Sequence, residues 1–271
     1  TMNENGARVR MLDANGQPVE SVLDATTRMY NKLRDLGLRR DVLDTKENFR
    51  KDIGMFRTLL HTIERNEFKY NELKQQFAQL TADYNKAAQD GTDRQVLDDR
   101  LKKRNGLKAD LLHFEKMMKA ESFDDVELGS KYTMPMGGRT NAMARKELDE
   151  LYKKYDSALK DAGVKDAAER QQVLHEMIVS FNVAYQHAIE EMDLLSARSG
   201  FFSEHTILQR HNFKYYTPLR QDIGDGRGST IQAAKGSTTP AIDAISNYCM
   251  EAIRRTGAVT RNVIGMALND A

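Results

Sequence analysis

Along most of this chain, apolar side chains recur at three- and four-residue intervals, the spacing of one face of an α-helix. From Ser21 onward, Leu23, Met29, Leu33 and Leu36 lie on one side, and Gly37 marks a stop. The clearest segment runs from Thr45 to Ala88. Phe49, Ile53, Phe56, Leu60 and Ile63 step by 4, 3, 4 and 3; after a gap of seven, Tyr70, Leu73, Phe77, Leu80, Tyr84 and Ala87 continue. The phase slips near Glu67 and Phe68, as a three-residue stammer in a heptad-like seam would make it. A helix of this length spans on the order of 60 Å. Residues Gln89 to Asp93 end it and open a second helix carrying Val96, Leu97, Leu101, Leu107, Leu111, Phe114 and Met118. So short a connection predicts that the two fold back as an antiparallel, coiled-coil-like hairpin over 45–120.

The pattern breaks at three places. Val9 and Met11 alternate with Arg8 and Arg10 ahead of Asn15-Gly16, which predicts a short N-terminal β-hairpin. Ser122, Gly129, Ser130, Pro135, Gly137 and Gly138 mark 121–140 as a linker or ordered loop. Beyond it, a stripe from Met143 to Leu159 ends at Gly163 and another from Val173 to Leu195 ends at Gly200, with a short helix through Ile207. Asn212 to Leu219 then reads as an extended aromatic strap, because Thr217 before proline is pushed out of the helical region. Residues 221–240, rich in Gly, Ser, Thr and Asp, read as a mobile loop. From Pro240, Ile242, Ile245, Cys249, Ala252, Thr256, Val259, Val263 and Met266 define a last amphipathic helix, opened by proline and still periodic at the final residue, as in a segment cut from a longer polypeptide. The expected organisation is all-α: an N-terminal hairpin and lead-in helix over 1–44, a long helical hairpin over 45–120, a linker over 121–140, and a helical bundle over 141–271.

Composition narrows the function classes. In 271 residues, 41 Lys+Arg face 40 Asp+Glu, a formal charge of +1, whereas general polyanion binders carry a basic excess. Four prolines, no tryptophan and a mean hydropathy of −0.65 suit a helix-rich chain with a thin core, and no apolar run is long enough for a membrane span. The single Cys249 excludes an internal disulfide; on the apolar seam it reads as a small core residue.

Candidate chemistry is sparse. A di-iron bundle needs two Glu-x-x-His pairs; the nearest matches are Asp110 with His113, and Gln172 with His175, which lacks the carboxylate. His187, Glu190 and Glu191 read as a solvated face. The Gly224 to Ser229 run lacks the Gly-Lys-Ser/Thr ending of a phosphate loop and has no buried strand before it, so a flexible loop is expected. No nucleophile elbow accompanies Ser203 or Ser229. These residues predict neither an enzyme nor a bound cofactor or metal. Arg254, Arg255 and Arg261 are candidate nucleic-acid contacts on the last helix. Leu73, Phe77, Leu80 and Tyr84 form a candidate seam for a partner or for self-association.

Four segments of the C-terminal part carry a resemblance. Ser199-Gly200-Phe201-Phe202-Ser203 followed by Phe213-Lys214-Tyr215-Tyr216-Thr217-Pro218-Leu219-Arg220, then Ala252-Ile253 and Asn262-Val263-Ile264-Gly265-Met266-Ala267-Leu268, are similar to a block of the large polyvalent proteins of phages and mobile elements. There a helix ends in Gly-Leu-Ile-Ser-like residues, a short helix leads to Tyr-x-Pro-Leu, and a glycine-rich stretch precedes an Asn-x-Val-x-x-Ala-Leu helix. Met134 to Ala144 is loosely similar to an element that often precedes it. The departures are Phe201-Phe202 in place of Leu-Ile, and Phe213 before the tyrosines. The resemblance covers roughly 134–271 and singles out Gly200, Tyr215, Tyr216, Pro218, Leu219 and Asn262. It implies a non-catalytic module of a virion-internal protein of the DarB antirestriction type, packaged in the particle and delivered into the host cytoplasm with the genome. The implied partners are other modules of the same polypeptide, portal, tail or capsid proteins, a second copy, or weakly held DNA.

Overall fold

The structure is a computed structural model. It describes residues 20–38, 43, 45–124, 126, 134–223, 230–233, 238 and 240–269; the side chains of 220–223, 230–233 and 265–269 are not described. The expected N-terminal hairpin and the Gly224 to Ser229 run lie outside the described residues.

The described chain is all-helical in class. Its helices are α1 (Val22–Asp35), α2 (Lys46–Gln89), α3 (Arg94–Lys119), α4 (Asn141–Asp161), α5 (Ala167–Arg198), α6 (Glu204–His211) and α7 (Ala244–Asn269). Between α6 and α7, β1 (Arg220–Ile223) and β2 (Thr230–Ala233) pair antiparallel, Arg220 opposite Ala233 and Ile223 opposite Thr230. Part of the stretch expected to be a loop is therefore a two-stranded ribbon, and a strand does precede the glycine run.

Local chemistry sets the helix ends. Ser21, Asp93, Asp166 and Ser203 each cap the following helix with a side-chain oxygen that accepts a backbone N–H. Helix α7 starts at Ala244, later than Pro240 suggested, because Asp243 Oδ1 accepts the Ser246 amide at 2.9 Å and supplies the cap. Helix α2 passes Glu67 and Phe68 without a break.

The chain divides into two compact units, one comprising 1–58, 148–218 and 243–271, the other 59–147 and 219–242. In the first unit, α1 buries Val22, Ala25, Met29 and Leu33, and Lys32 reaches Glu176 on α5 at 2.7 Å. Phe49 at the start of α2 meets Tyr30 and Tyr155 edge-on, and the Tyr155 hydroxyl donates to Asp52 at 2.8 Å. Helices α5 and α7 run parallel, since Tyr185 meets Tyr248, Asp193 meets Arg255 and Ser199 meets Asn262.

In the second unit, contacts between α2 and α3 run in opposite sequence order. Lys69 and Tyr70 meet Phe114 and Glu115, whereas Asp83 and Tyr84 meet Arg100 and Arg104. Met134 to Thr140, written in the sequence as linker or loop, is ordered, and 135–140 are buried.

Three readings of buried faces need correction. On α2, Leu59 is fully buried while Leu60 and Ile63 are half-buried; the covered side includes Arg57, Thr58, His61, Thr62 and Asn66. On α7, Thr256 and Val263 are exposed, and Glu251, Arg255, Ala258 and Val259 face inward. Cys249 is exposed rather than a core residue. Hydrophobic periodicity assigns charged and amide side chains outward; here they turn inward because each has partners waiting.

Candidate functional site

Two of the resemblance-bearing residues, Gly200 and Asn262, meet where α5 ends. Helix α5 closes at Ser199, and Gly200 takes φ +68°, the left-handed conformation that glycine adopts without a Cβ penalty. The Phe201 amide then donates to the Ser196 carbonyl at 2.8 Å and the Gly200 amide to Ala197 at 2.9 Å, a Schellman motif. The Ser199 carbonyl, left without a helical donor, accepts from the Asn262 amide at 3.4 Å. The reversal places Phe201 and Phe202 beside three guanidiniums: Arg210 at 4.2 Å and Arg255 at 4.8 Å from the Phe202 ring, and Arg254 at 5.7 Å from Phe201.

These guanidiniums share two buried carboxylates. Asp193 Oδ1 accepts from Arg210 and from Arg255, each at 2.6 Å. Glu251 accepts from Arg255 at 2.8 Å and from Arg254 at 3.0 Å. The side chains of Asp193, Glu251 and Arg255 are all but inaccessible. Burial works against the Arg255 charge, but the hydrogen bonds to Glu251 and Asp193 outweigh it and hold its pKa above the ordinary arginine value. Among the described residues, Asp193 Oδ2 and Arg255 Nη2 have no hydrogen-bond partner, so the pair is joined through one oxygen rather than as a fork.

A second polar knot fixes the segment expected as a strap. Arg57 on α2 donates to the Tyr216 carbonyl through Nη2 at 2.9 Å and Nε at 3.3 Å, to Asn182 Oδ1 at 3.0 Å and to Gln186 Oε1 at 2.9 Å. Its guanidinium lies 4.4 Å from the Tyr185 ring centroid. The Tyr185 hydroxyl shares a 2.7 Å hydrogen bond with Thr217 and donates to the Ala244 carbonyl at 3.0 Å. Burial raises the Tyr185 pKa, and the nearby Arg57 charge opposes this only in part. Tyr216 links both knots, its carbonyl on Arg57 and its ring 5.3 Å from Arg210. Phe213, Thr217 and Pro218 are buried, and Tyr215 is half-buried with Lys214 over its ring.

The second unit has a similar device. Asn66 on α2 accepts the Met136 amide at 2.6 Å and donates to the Arg139 carbonyl at 3.0 Å. Gly137 has φ +69°, and a Cβ there would lie 2.5 Å from Thr62 Oγ1. Gly137 and Arg139 also bond the backbone of Ala241, and Arg139 pairs with Glu147 at 2.8 Å. Leu219, the last residue of the Tyr-x-Pro-Leu element, belongs to this unit and is half-buried.

The remaining candidates are distributed as follows. Arg255 is buried in the ion cluster, Arg254 is half-exposed and held by Glu251, and Arg261 is exposed. Leu73, Phe77, Leu80 and Tyr84 are each half-buried. Sequence periodicity missed Arg57, Asn66, Asp193, Arg210 and Glu251. Only Arg57 carried a usable signal, as a cation set between Met55-Phe56 and Leu59-Leu60. Among the described residues, no three His, Cys, Asp or Glu side chains are grouped to hold a metal ion, and no helix is long and apolar enough to cross a membrane. No family model, curated protein or solved structure matches the chain.

Proposed function

We propose that this chain is a non-catalytic structural module of a large phage virion-internal protein, delivered into the host with the genome in an ejection or antirestriction role. One observation supports the reading above others. Three of the residues that carry the resemblance act as fasteners: Gly200 turns the chain, Asn262 satisfies the carbonyl left at that turn, and Tyr216 joins Arg57 to Arg210. A motif used in this way preserves a shape rather than a reaction. We read α2 and α3 as the antiparallel, coiled-coil-like hairpin of that module, since helices built on local contacts reform rapidly after passing a narrow conduit.

Peptide mapping by mass spectrometry of purified particles tests the proposal. Peptides from this chain, joined to flanking peptides of one longer polypeptide, are the expected result; particles lacking the chain would refute it.

A second reading, a partner-binding or self-associating coiled coil, is favoured by the half-buried state of Leu73, Phe77, Leu80 and Tyr84. Two helices alone cover such a seam incompletely. Light scattering on the Leu73→Asp and Phe77→Asp variants tests self-association through this seam: a larger assembly that dissociates in the variants supports it, and a monomer throughout rejects it. In the nucleic-acid alternative, Arg254 and Arg261 supply the surface contacts, because Arg255 would first have to leave two carboxylates.

A further inference from the structure

Helix α7 turns Glu251, Arg255, Ala258 and Val259 into the first unit and, among the described residues, leaves apolar side chains exposed on its other face. Arg255, Ala258 and Val259 point into the first unit, so Ile253, Gly257, Thr260 and Ile264 lie on the opposite side of the helix. Ile253 is 76% exposed and Ile264 54%, with Val263 at 49% beside them. This ridge extends about 16 Å along the axis at α-helical rise. Its centre is low, since a Cβ on Gly257 would meet nothing within 4 Å. The spacing, 4, 3 and 4 residues, is that of a coiled-coil seam.

Charge along the ridge has one sign. Arg254 and Arg261, seven residues apart, flank the same edge, and no acidic residue occurs from Ala252 to Asn269. Arg254 belongs to a cluster in which three guanidiniums share two carboxylates, so positive charge is in excess there. Arg261 has no ion-pair partner among the described residues.

The geometry points to the outer face of α7 as a docking site for an amphipathic helix of another protein, with a heptad-spaced apolar stripe and, along one edge, acidic residues seven apart. The stripe covers Ile253 and Ile264 and seats a side chain over Gly257, while the acidic edge meets Arg254 and Arg261. A second copy of α7 fits poorly, because its arginines would face these arginines. A phosphate backbone fits less well than a helix, because it leaves both isoleucines in water. The inference does not depend on the proposed function.

The test uses the full chain and labelled three-heptad peptides with a leucine stripe, one edged with glutamate and one with lysine, followed by fluorescence anisotropy. The glutamate peptide is expected to bind at least about tenfold tighter than the lysine peptide, and Ile253→Asp to weaken it by a similar factor. Arg261→Glu, which leaves one positive and one negative charge along the edge, should remove most of the preference between the two peptides. Ile264→Asp provides a second apolar variant, and unchanged melting curves confirm that both fold. Equal binding of the two peptides, or binding unaffected by Ile253→Asp and Ile264→Asp, would overturn the proposal. So would displacement of the glutamate peptide by short duplex DNA or by anionic vesicles whose own binding ignores the Ile253 change.

Discussion

Buried backbone outside helices needs partners for its N–H and C=O groups, and in this chain two side chains of α2 supply them. Arg57 spans the Tyr216 carbonyl, Asn182 and Gln186; Asn66 holds Met136 and Arg139 with the two ends of one amide. Removing either leaves buried oxygens or an amide without a donor or acceptor. Arg57→Ala is expected to lower unfolding free energy by about 3 kcal/mol in urea titrations. Arg57→Lys should recover little of it, since one ammonium cannot reproduce a planar fork of donors. Asn66→Asp separates the two halves of the second knot. It keeps an acceptor for the Met136 amide but sets a carboxylate against the Arg139 carbonyl, so it should cost about 1–3 kcal/mol, with no gain over Asn66→Ala.

Two mid-helix glycines give opposite predictions. A Cβ on Gly54 in α2 would come within 2.7 Å of Asp243 Oδ1 and 3.0 Å of the Ile245 amide, at the capped start of α7. Gly54→Ala should therefore destabilise by about 1–3 kcal/mol, because the obstacle is largely backbone. Gly106 in α3 faces open space, and Gly106→Ala should raise stability by up to about 1 kcal/mol. Thermal melts of the two variants check both signs. Helix positions were legible in the sequence because period, caps and glycine stops agree: Gly37, Gly163 and Gly200 each follow a helix end. The faces of α2 and α7 were not. Apolar periodicity chose Leu60, Thr256 and Val263 for the interior, whereas tertiary partners drew in Arg57, Asn66, Glu251 and Arg255. The site was legible in outline only, as Gly200, Tyr216 and Asn262, because Asp193 and Arg210 acquire meaning only once α5, α6 and α7 are brought together.

The chain as a whole keeps several tyrosines neutral in its interior. Burial raises the pKa of Tyr155, with Asp52 adding to the effect, and burial likewise raises those of Tyr185 and Tyr216. The folded pKa then exceeds that of the unfolded chain, so above about pH 10 the unfolded state releases protons that the folded state retains. Stability is fully present below that pH and falls as pH rises through it, by up to about 1.4 kcal/mol per pH unit for each such tyrosine. Urea midpoints from pH 8 to 11 check this. Tyr185→Phe should flatten the alkaline fall while losing the hydrogen bonds to Thr217 and Ala244.

The central claim is that residues 213–218 form part of the folded body, fastened through Arg57, and that the resemblance-bearing motif serves this purpose. Amide hydrogen exchange with mass spectrometry, comparing the unmodified chain with Arg57→Ala under conditions where both are folded, tests it most directly. The account predicts that peptides covering 213–218 are protected in the unmodified chain. It also predicts that they lose protection in the variant well before those of α1 and α5. Rapid exchange of this segment in the unmodified chain, or protection indifferent to Arg57, would contradict it.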